Sequence, residues 1–167
     1  MRTFLKLTLL LLFPFALQAQ NTVSLKKQGY IAANAVVSGD YKTVVDYMYP
    51  KAVNMSGGKA KMVSVLTQTM SQMKAQGITF EKATLGTPGK FYKAGSEIHC
   101  LVPESITMKS PNGTMLISSN LLAISADGGK NWSFLDVNKS TIPKLSKLFP
   151  KFNPALKIPD PKAPVMQ

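Results

Sequence analysis

The change from helical to strand periodicity lies within residues 56–83, SGGKAKMVSVLTQTMSQMKAQGITFEKA. Apolar side chains recur three or four positions apart over most of this stretch, which predicts a helix that ends at Gly77. The apolar positions of this helix are Met62, Val63, Leu66, Met70 and Met73. From Ile78 to Ala83 the pattern alternates with a period of two, so we expect the first strand of a sheet there.

Two further helices are predicted before this stretch. Residues 23–37 have apolar positions at helical spacing, and Ser38-Gly39 closes the segment. Asp40 is suited to cap a second, short helix, which we expect to stop at Pro50. The chain therefore begins with helices and continues with strands.

Four or so antiparallel strands are expected after the third helix, because alternating runs are separated by turn residues. Pro103 interrupts one of these runs, and we expect it at a bulge or bend because proline cannot donate a hydrogen bond to a neighbouring strand. N-terminal helices packed on an antiparallel sheet form an α+β fold. The other predicted runs are 91–93, 97–102, 106–108, 114–125 and 132–137.

The N-terminus predicts export. Basic residues come first, an apolar run covers residues 7–17, and small and polar residues follow, which is the order of a cleavable signal peptide. We therefore expect a signal peptide over 1–19, a single α+β domain over 20–149 and a tail over 150–167 that contains proline and lysine. The mature protein is then periplasmic or extracellular and has no transmembrane span. Ser140 is suited to cap one more short helix through Leu148.

The charge and the rare residues limit the kinds of site. The formal net charge is +12, which favours contact with anionic surfaces. The lysines are scattered and no arginine follows Arg2, so we expect no nucleic-acid patch. With one cysteine, Cys100, the chain can form no internal disulfide, and with one histidine it can form no multi-histidine metal site. We expect Cys100 to be buried and inert.

The order of elements resembles the nuclear-transport-factor-2-like superfamily. The resemblance is carried by Ser38-Gly39-Asp40-Tyr41, by Tyr47-Met48-Tyr49-Pro50 and by Gly57-Gly58 before the third helix. It covers about Val23 to Val137. The resemblance implies a cone-like fold in which a curved sheet wraps the long helix and leaves a pocket at the open end. Members of that superfamily include dehydratases, isomerases, cyclases and many non-catalytic binding domains, so the fold alone does not choose a function.

A second, local resemblance concerns one turn. Ser125-Ala126-Asp127-Gly128-Gly129-Lys130-Asn131-Trp132 is similar to an Asp-box hairpin. In such a turn Asp127 accepts backbone N–H groups, Gly129 takes a positive φ and Trp132 packs back over the hairpin. We expect this hairpin to be structural.

Candidate site residues are few. Glu97 and His99 are two apart on one predicted strand and therefore share a face. If Ile98, Cys100 and Val102 form the core, that shared face points to solvent, and this is the interpretation we favour. The candidates for acid-base catalysis are Asp46, His99 and Asp136, and those for ligand binding are Tyr47, Tyr49 and Glu97.

No phosphate loop, dinucleotide fingerprint, zinc spacing or calcium loop occurs in the sequence, so we expect no metal and no cofactor. The leading hypothesis is an exported, non-catalytic domain that binds a small apolar ligand or a protein partner. One alternative is a small lyase or isomerase with an acid-base pocket. Another is binding to an anionic surface through lysines. The sequence does not indicate an oligomeric state.

Overall fold

A computed structural model describes residues 13–138, 145 and 147–167 of the chain. The chain has the α+β fold expected from the sequence, with helices packed on a curved, open, antiparallel sheet of six strands. Most of the predicted signal peptide, residues 1–12, lies outside the described residues, and residues 13–19 belong to the first helix. Among the described residues, no helix is both long enough and apolar enough to cross a membrane.

In the part of the chain that the structure describes, four helices come before the sheet. Asp40 caps the second one as predicted, because its Oδ1 accepts the backbone N–H of Thr43 at 3.1 Å. Pro50 does not end the helical region but begins a third helix, where a residue without an N–H group is tolerated in the first turn. The helices are α1 (Phe13–Ser38), α2 (Tyr41–Tyr47), α3 (Pro50–Met55) and α4 (Lys59–Ala75).

The sheet is built around two long central strands, β3 and β4, which form a hairpin. On its other side β3 pairs with β2 along its first residues and with β1 along its last ones. In the same way β4 pairs first with β6 and then with β5. The strands are β1 (Thr79–Leu85), β2 (Phe91–Ala94), β3 (Glu97–Ser110), β4 (Gly113–Ser125), β5 (Ser133–Asp136) and β6 (Val165–Met166).

The bulge expected at Pro103 is absent, and the register between β3 and β4 is continuous through the pair Pro103–Asn120. The carbonyl of Pro103 accepts the N–H of Gly86 at 2.8 Å, in the loop between β1 and β2. In a strand the nitrogen and the carbonyl of one residue point to the same side. The proline nitrogen therefore faces this loop, where its missing N–H interrupts no pairing with β4.

Helix α1 covers one face of the sheet, which we call the helix face. Its Leu25 is fully buried with sheet residues. Gly29 lies so close to β1 that an added Cβ would come within 2.6 Å of Leu85 Cδ1, so any larger residue there would force the buried Leu85 side chain to shift. The buried residues of this face are Leu25, Leu85, Cys100, Val102, Ala123, Trp132 and Phe134.

The C-terminal part of the chain covers the opposite face, which we call the tail face. Although its prolines predict an extended tail after residue 149, the side chains of Leu156 and Ile158 are buried against the sheet. The helix predicted from Ser140 lies mostly outside the described residues, but Leu145 and Leu148 are helical. The buried residues of this face are Tyr49, Leu122, Ile124, Val137, Leu145, Phe149, Leu156 and Ile158.

Helix α4 corrects one implication of the resemblance. Its boundaries and its apolar stripe are those predicted, since the stripe residues are its half-buried positions. However, α4 has no fully buried residue and packs mainly on α2 and α3. The helix held against the sheet is α1, which packs on β1.

The hairpin between β4 and β5 has the hydrogen bonds expected of it. Oδ1 of Asp127 accepts the N–H groups of Lys130 at 3.1 Å and Asn131 at 3.0 Å, and Gly129 has a φ of +92°. The Gly129 carbonyl accepts Ser24 Oγ–H of α1 at 2.6 Å. The hairpin therefore holds the helix on the sheet, a structural role as predicted.

Candidate functional site

Three polar side chains form a hydrogen-bonded chain at one end of the tail face. The hydroxyl of Tyr49 donates to Oε1 of Glu97 at 2.9 Å. Oε2 of the same carboxyl group lies 3.0 Å from Nε2 of His99. One carboxylate thus connects a tyrosine between two helices with a histidine on the sheet.

Local structure brings these residues together. Tyr49 lies between α2 and α3 in an extended conformation, and its N–H donates to the Phe134 carbonyl of β5 at 3.1 Å. Glu97 is the first residue of β3 and His99 is the third. Because side chains alternate between the two faces of a strand, both lie on the tail face. The shared face was predicted, but the contact with Tyr49 was not.

His99 is fully buried, which corrects the expectation that the shared face of Glu97 and His99 points to solvent. Ile98, Cys100 and Val102 do pack in the core of the helix face, but the tail face is covered as well. Phe149 meets the imidazole edge-on with a centroid distance of 4.9 Å, and Phe152 lies at 5.7 Å. Glu97 keeps 22% of its side-chain surface exposed, so the hydrogen-bonded chain reaches the surface at this residue.

Two clefts meet at Tyr49, Lys51 and Glu97. The first has a volume of about 340 Å³ and lies between α3, the β2–β3 turn and the C-terminal segment. The second has a volume of about 470 Å³ and extends to the β4–β5 hairpin. Besides the three shared residues, the first cleft is lined mainly by Ser96, His99, Leu148, Phe149 and Lys151, and the second by Asp46, Ile124, Asp127, Asn131 and Trp132.

The electrostatics of the site favour fixed hydrogen bonds over proton transfer. Burial, together with the hydrogen bond to Glu97, raises the pKa of Tyr49 to about 12, so its hydroxyl remains protonated at neutral pH. Lys51 Nζ donates to the Leu148 carbonyl at 2.8 Å, which places its ammonium at the mouth of the first cleft. Lys51 therefore adds a positive charge to a cleft that Glu97 also lines.

The remaining candidates are dispersed. Tyr47 packs on Phe134 in the helix-face core, with a centroid distance of 6.4 Å, so it does not join Tyr49. Asp46 lines the second cleft, and its Oδ1 accepts Lys59 Nζ at 2.6 Å in an exposed ion pair. Asp136 is at the exposed end of β5, on the strand face opposite to that of His99. The structure therefore unites Tyr49, Glu97 and His99 but not Asp46, His99 and Asp136.

Two buried groups lie on the helix face. Cys100 is fully buried, as expected, and burial raises the pKa of its thiol to about 12. Glu104 was not considered from the sequence. Burial raises the pKa of its carboxyl, which accepts Ser119 Oγ–H at 3.0 Å. Neither group is part of the hydrogen-bonded chain.

Sequence reasoning missed the cleft residues on the C-terminal segment, above all Phe149 and Lys151. These residues follow no periodic pattern. The one signal in the sequence is the presence of two large apolar side chains, Phe149 and Phe152, in a proline-rich segment, which indicates that this segment packs on the domain. Among the described residues, no group of three or more histidine, cysteine or carboxylate side chains could hold a metal ion. Comparison with models of protein families finds none that matches this chain, and comparison with curated proteins finds no match.

Proposed function

We propose that this chain is an exported, non-catalytic domain that binds a small ligand in the groove formed by the two clefts. The observation that carries this proposal is the convergence of Tyr49, Glu97 and Lys51 where the clefts meet. Ligand sites are typically concave and combine apolar walls with a few oriented polar groups. With its aromatic and aliphatic walls and its fixed hydrogen bonds, this groove has both properties.

We also propose that the chain belongs to the nuclear-transport-factor-2-like superfamily, which the order of helices and strands supports. The first cleft of the groove lies on the tail face, on the side of the sheet opposite to α1. Ligand binding in this protein would therefore use the opposite sheet face from the pocket that the resemblance implies.

The polar groups of the groove change the class of ligand that we expect from a purely apolar molecule to one with polar groups. A purely apolar ligand would remove water from Glu97 and Lys51 without replacing their hydrogen bonds, which is unfavourable. A ligand with polar groups restores those bonds. A protein partner, the other ligand expected from the sequence, remains a prediction without a separate observation in its favour.

The enzymatic alternative has less support. A catalytic acid or base works best when its pKa lies near the operating pH, and the pKa of Tyr49 is raised to about 12. The three acid-base candidates from the sequence do not line one cleft. Binding of anionic surfaces by exposed lysines also remains a prediction, and it needs no groove.

The proposal is tested by titrating the isotope-labelled protein with a library of small polar fragments and following its NMR spectrum. Binders are expected to shift the signals of Tyr49, Lys51 and Glu97. Tyr49→Phe is expected to weaken those binders about tenfold, the effect of one lost hydrogen bond in a buried site.

The matched control is Tyr30→Phe, because the Tyr30 hydroxyl donates to the Leu85 carbonyl at 3.4 Å on the helix face. This variant is expected to bind fragments like the unmodified protein. A library in which no fragment shifts the groove signals, or in which all binders map to the helix face, would contradict the proposal.

A further inference from the structure

We infer that the ligand of the first cleft is a neutral polyhydroxylated molecule such as a monosaccharide, and that one of its hydroxyl groups hydrogen-bonds to Nδ1 of His99. This inference rests on the proposed function and specifies its ligand class. It is carried by an unpaired buried atom, by the charges around the cleft and by its aromatic wall.

The unpaired atom is Nδ1 of His99. Among the side chains of the described residues, it is the one buried nitrogen or oxygen without a hydrogen-bond partner. Buried polar atoms are nearly always paired, because an unpaired one loses its bond to water and receives nothing in return. His99 lines the first cleft, but its side chain is fully buried against Phe149, so a molecule in this cleft supplies the partner only when the Phe149 ring moves aside.

The rest of the hydrogen-bonded chain determines what that partner must be. A carboxylate only accepts hydrogen bonds, so the Nε2 that lies 3.0 Å from Glu97 Oε2 must carry a proton. In the neutral imidazole, Nδ1 is then an acceptor and requires a donor. In the imidazolium form Nδ1 is a donor. A hydroxyl group satisfies both forms, whereas a ligand carboxylate satisfies only the charged one.

The charges around the cleft disfavour ligands with a net charge. Lys51 of α3 and Lys151 of the C-terminal segment line it, and so does Glu97 of β3. An ammonium ligand would be repelled by the two lysines, and an anionic ligand by Glu97 next to the His99 position. Hydroxyl groups can accept from Lys51 and donate to Nδ1 in one molecule.

The size and the wall of the cleft suit one small ring. Its volume of about 340 Å³ lies at the lower end of the range for small-molecule sites. The rings of Tyr49 and Phe149, whose centroids are 4.7 Å apart, line the cleft beside the polar groups, with 9% and 3% of their respective surfaces exposed. Monosaccharides have C–H faces that pack on aromatic rings and hydroxyl rims that bond to polar side chains.

The single histidine of the chain makes the test direct, because its two ring nitrogens give the only imidazole signals in a ¹H–¹⁵N spectrum. The probes are glucose, galactose and xylose, with glucosamine and glucuronate as charged relatives. We expect at least one neutral sugar to shift the Nδ1 signal, and we expect the charged relatives to bind at least tenfold more weakly.

Two variants separate the contacts. His99→Phe keeps a planar ring but removes Nδ1, and it is expected to weaken sugar binding about tenfold. Because this buried substitution can impair folding, Lys51→Met provides a second test at an exposed residue and is also expected to weaken binding. Lys42→Met, on the exposed surface of α2, is the matched control and is expected to bind sugar normally.

The outcomes distinguish the two proposals. If fragments bind in the groove but neutral sugars leave the Nδ1 signal unchanged, the ligand class is wrong and the binding function stands. If neither fragments nor sugars bind, both proposals fail. A Nδ1 signal that shows a hydrogen bond to bound water or to another part of the chain, and that no sugar displaces, also overturns the inference.

Discussion

The indole Nε1 of Trp132 donates a hydrogen bond to Oγ of Ser24 at 3.0 Å, although the two residues are 108 positions apart in the chain. The same N–H lies 3.0 Å from the Gly129 carbonyl, which also accepts the Ser24 hydroxyl. One indole, one hydroxyl and one carbonyl therefore join the middle of α1 to the hairpin between β4 and β5.

Ser24→Ala is expected to lower the free energy of unfolding by about 1–2 kcal/mol, because it leaves the Gly129 carbonyl with a single donor and removes one acceptor of the indole. Urea denaturation measures this change. Ser64→Ala, on the exposed surface of α4, is the matched control and is expected to change stability by less than about 0.5 kcal/mol. Equal changes in the free energy of unfolding for the two substitutions would contradict the stabilising role of the hydrogen bonds between α1 and the hairpin.

Tyr49→Phe is expected to destabilise the protein by about 1–2 kcal/mol at neutral pH, since Glu97 loses its tyrosine donor. The effect depends on pH. The pKa of Tyr49 is raised from 10.0 to about 12, so the hydroxyl stabilises the fold fully below pH 10 and progressively less as the pH rises toward 12. Denaturation of the variant and the unmodified protein over this range checks the prediction, with Tyr30→Phe as the control. A stability difference that stays constant up to pH 12 would contradict it.

Asp127 is expected to make stability depend on acid pH. The N–H of Asn131 and further hydrogen-bond donors hold the pKa of its carboxyl at about 2, below the ordinary 3.8. The carboxylate therefore stabilises the fold above pH 3.8, and this contribution is lost as the pH falls toward 2. Asp127→Asn is expected to be less stable than the unmodified protein at neutral pH, with a difference that shrinks in acid. Unfolding free energies measured across this range test it, and a difference that grows in acid would refute the assignment.

The C-terminal segment is expected to be part of the domain. Leu156→Ala removes a buried side chain from the tail face, and substitutions of this type cost about 2–5 kcal/mol. Val165→Ala, at a position that is 59% exposed in β6, is expected to cost less than about 0.5 kcal/mol. Thermal or urea unfolding of the two variants provides the comparison. A tail that does not pack on the sheet would make both substitutions neutral.

Local patterns predicted most elements of this fold but not what covers each surface. The stripe from Met62 to Met73 correctly located α4, because helical spacing depends only on residues within the helix. Whether that stripe is buried against the sheet depends on how the rest of the chain packs. In this fold α1, and not α4, covers the sheet. Pro50 shows the same limit, since one residue type can end one helix and begin another.

The candidate site was also predicted only in part, because local patterns show which residues share a strand face but not what covers that face. The spacing of Glu97 and His99 correctly placed them on one strand face. Their burial depends on Phe149 and Phe152, which lie about 50 positions later in a segment without any regular period. Tyr49 was chosen as a ligand-binding candidate, but its bond to Glu97 joins elements that only the tertiary structure brings together.

The covering of the tail face by residues after 144 has a consequence for the order of events during biosynthesis. Leu156 and Ile158 leave the ribosome after all residues of β1 to β5, and until they emerge the hydrophobic layer of the tail face is incomplete. The nascent chain can therefore pair β1 to β5 before it completes its second hydrophobic layer.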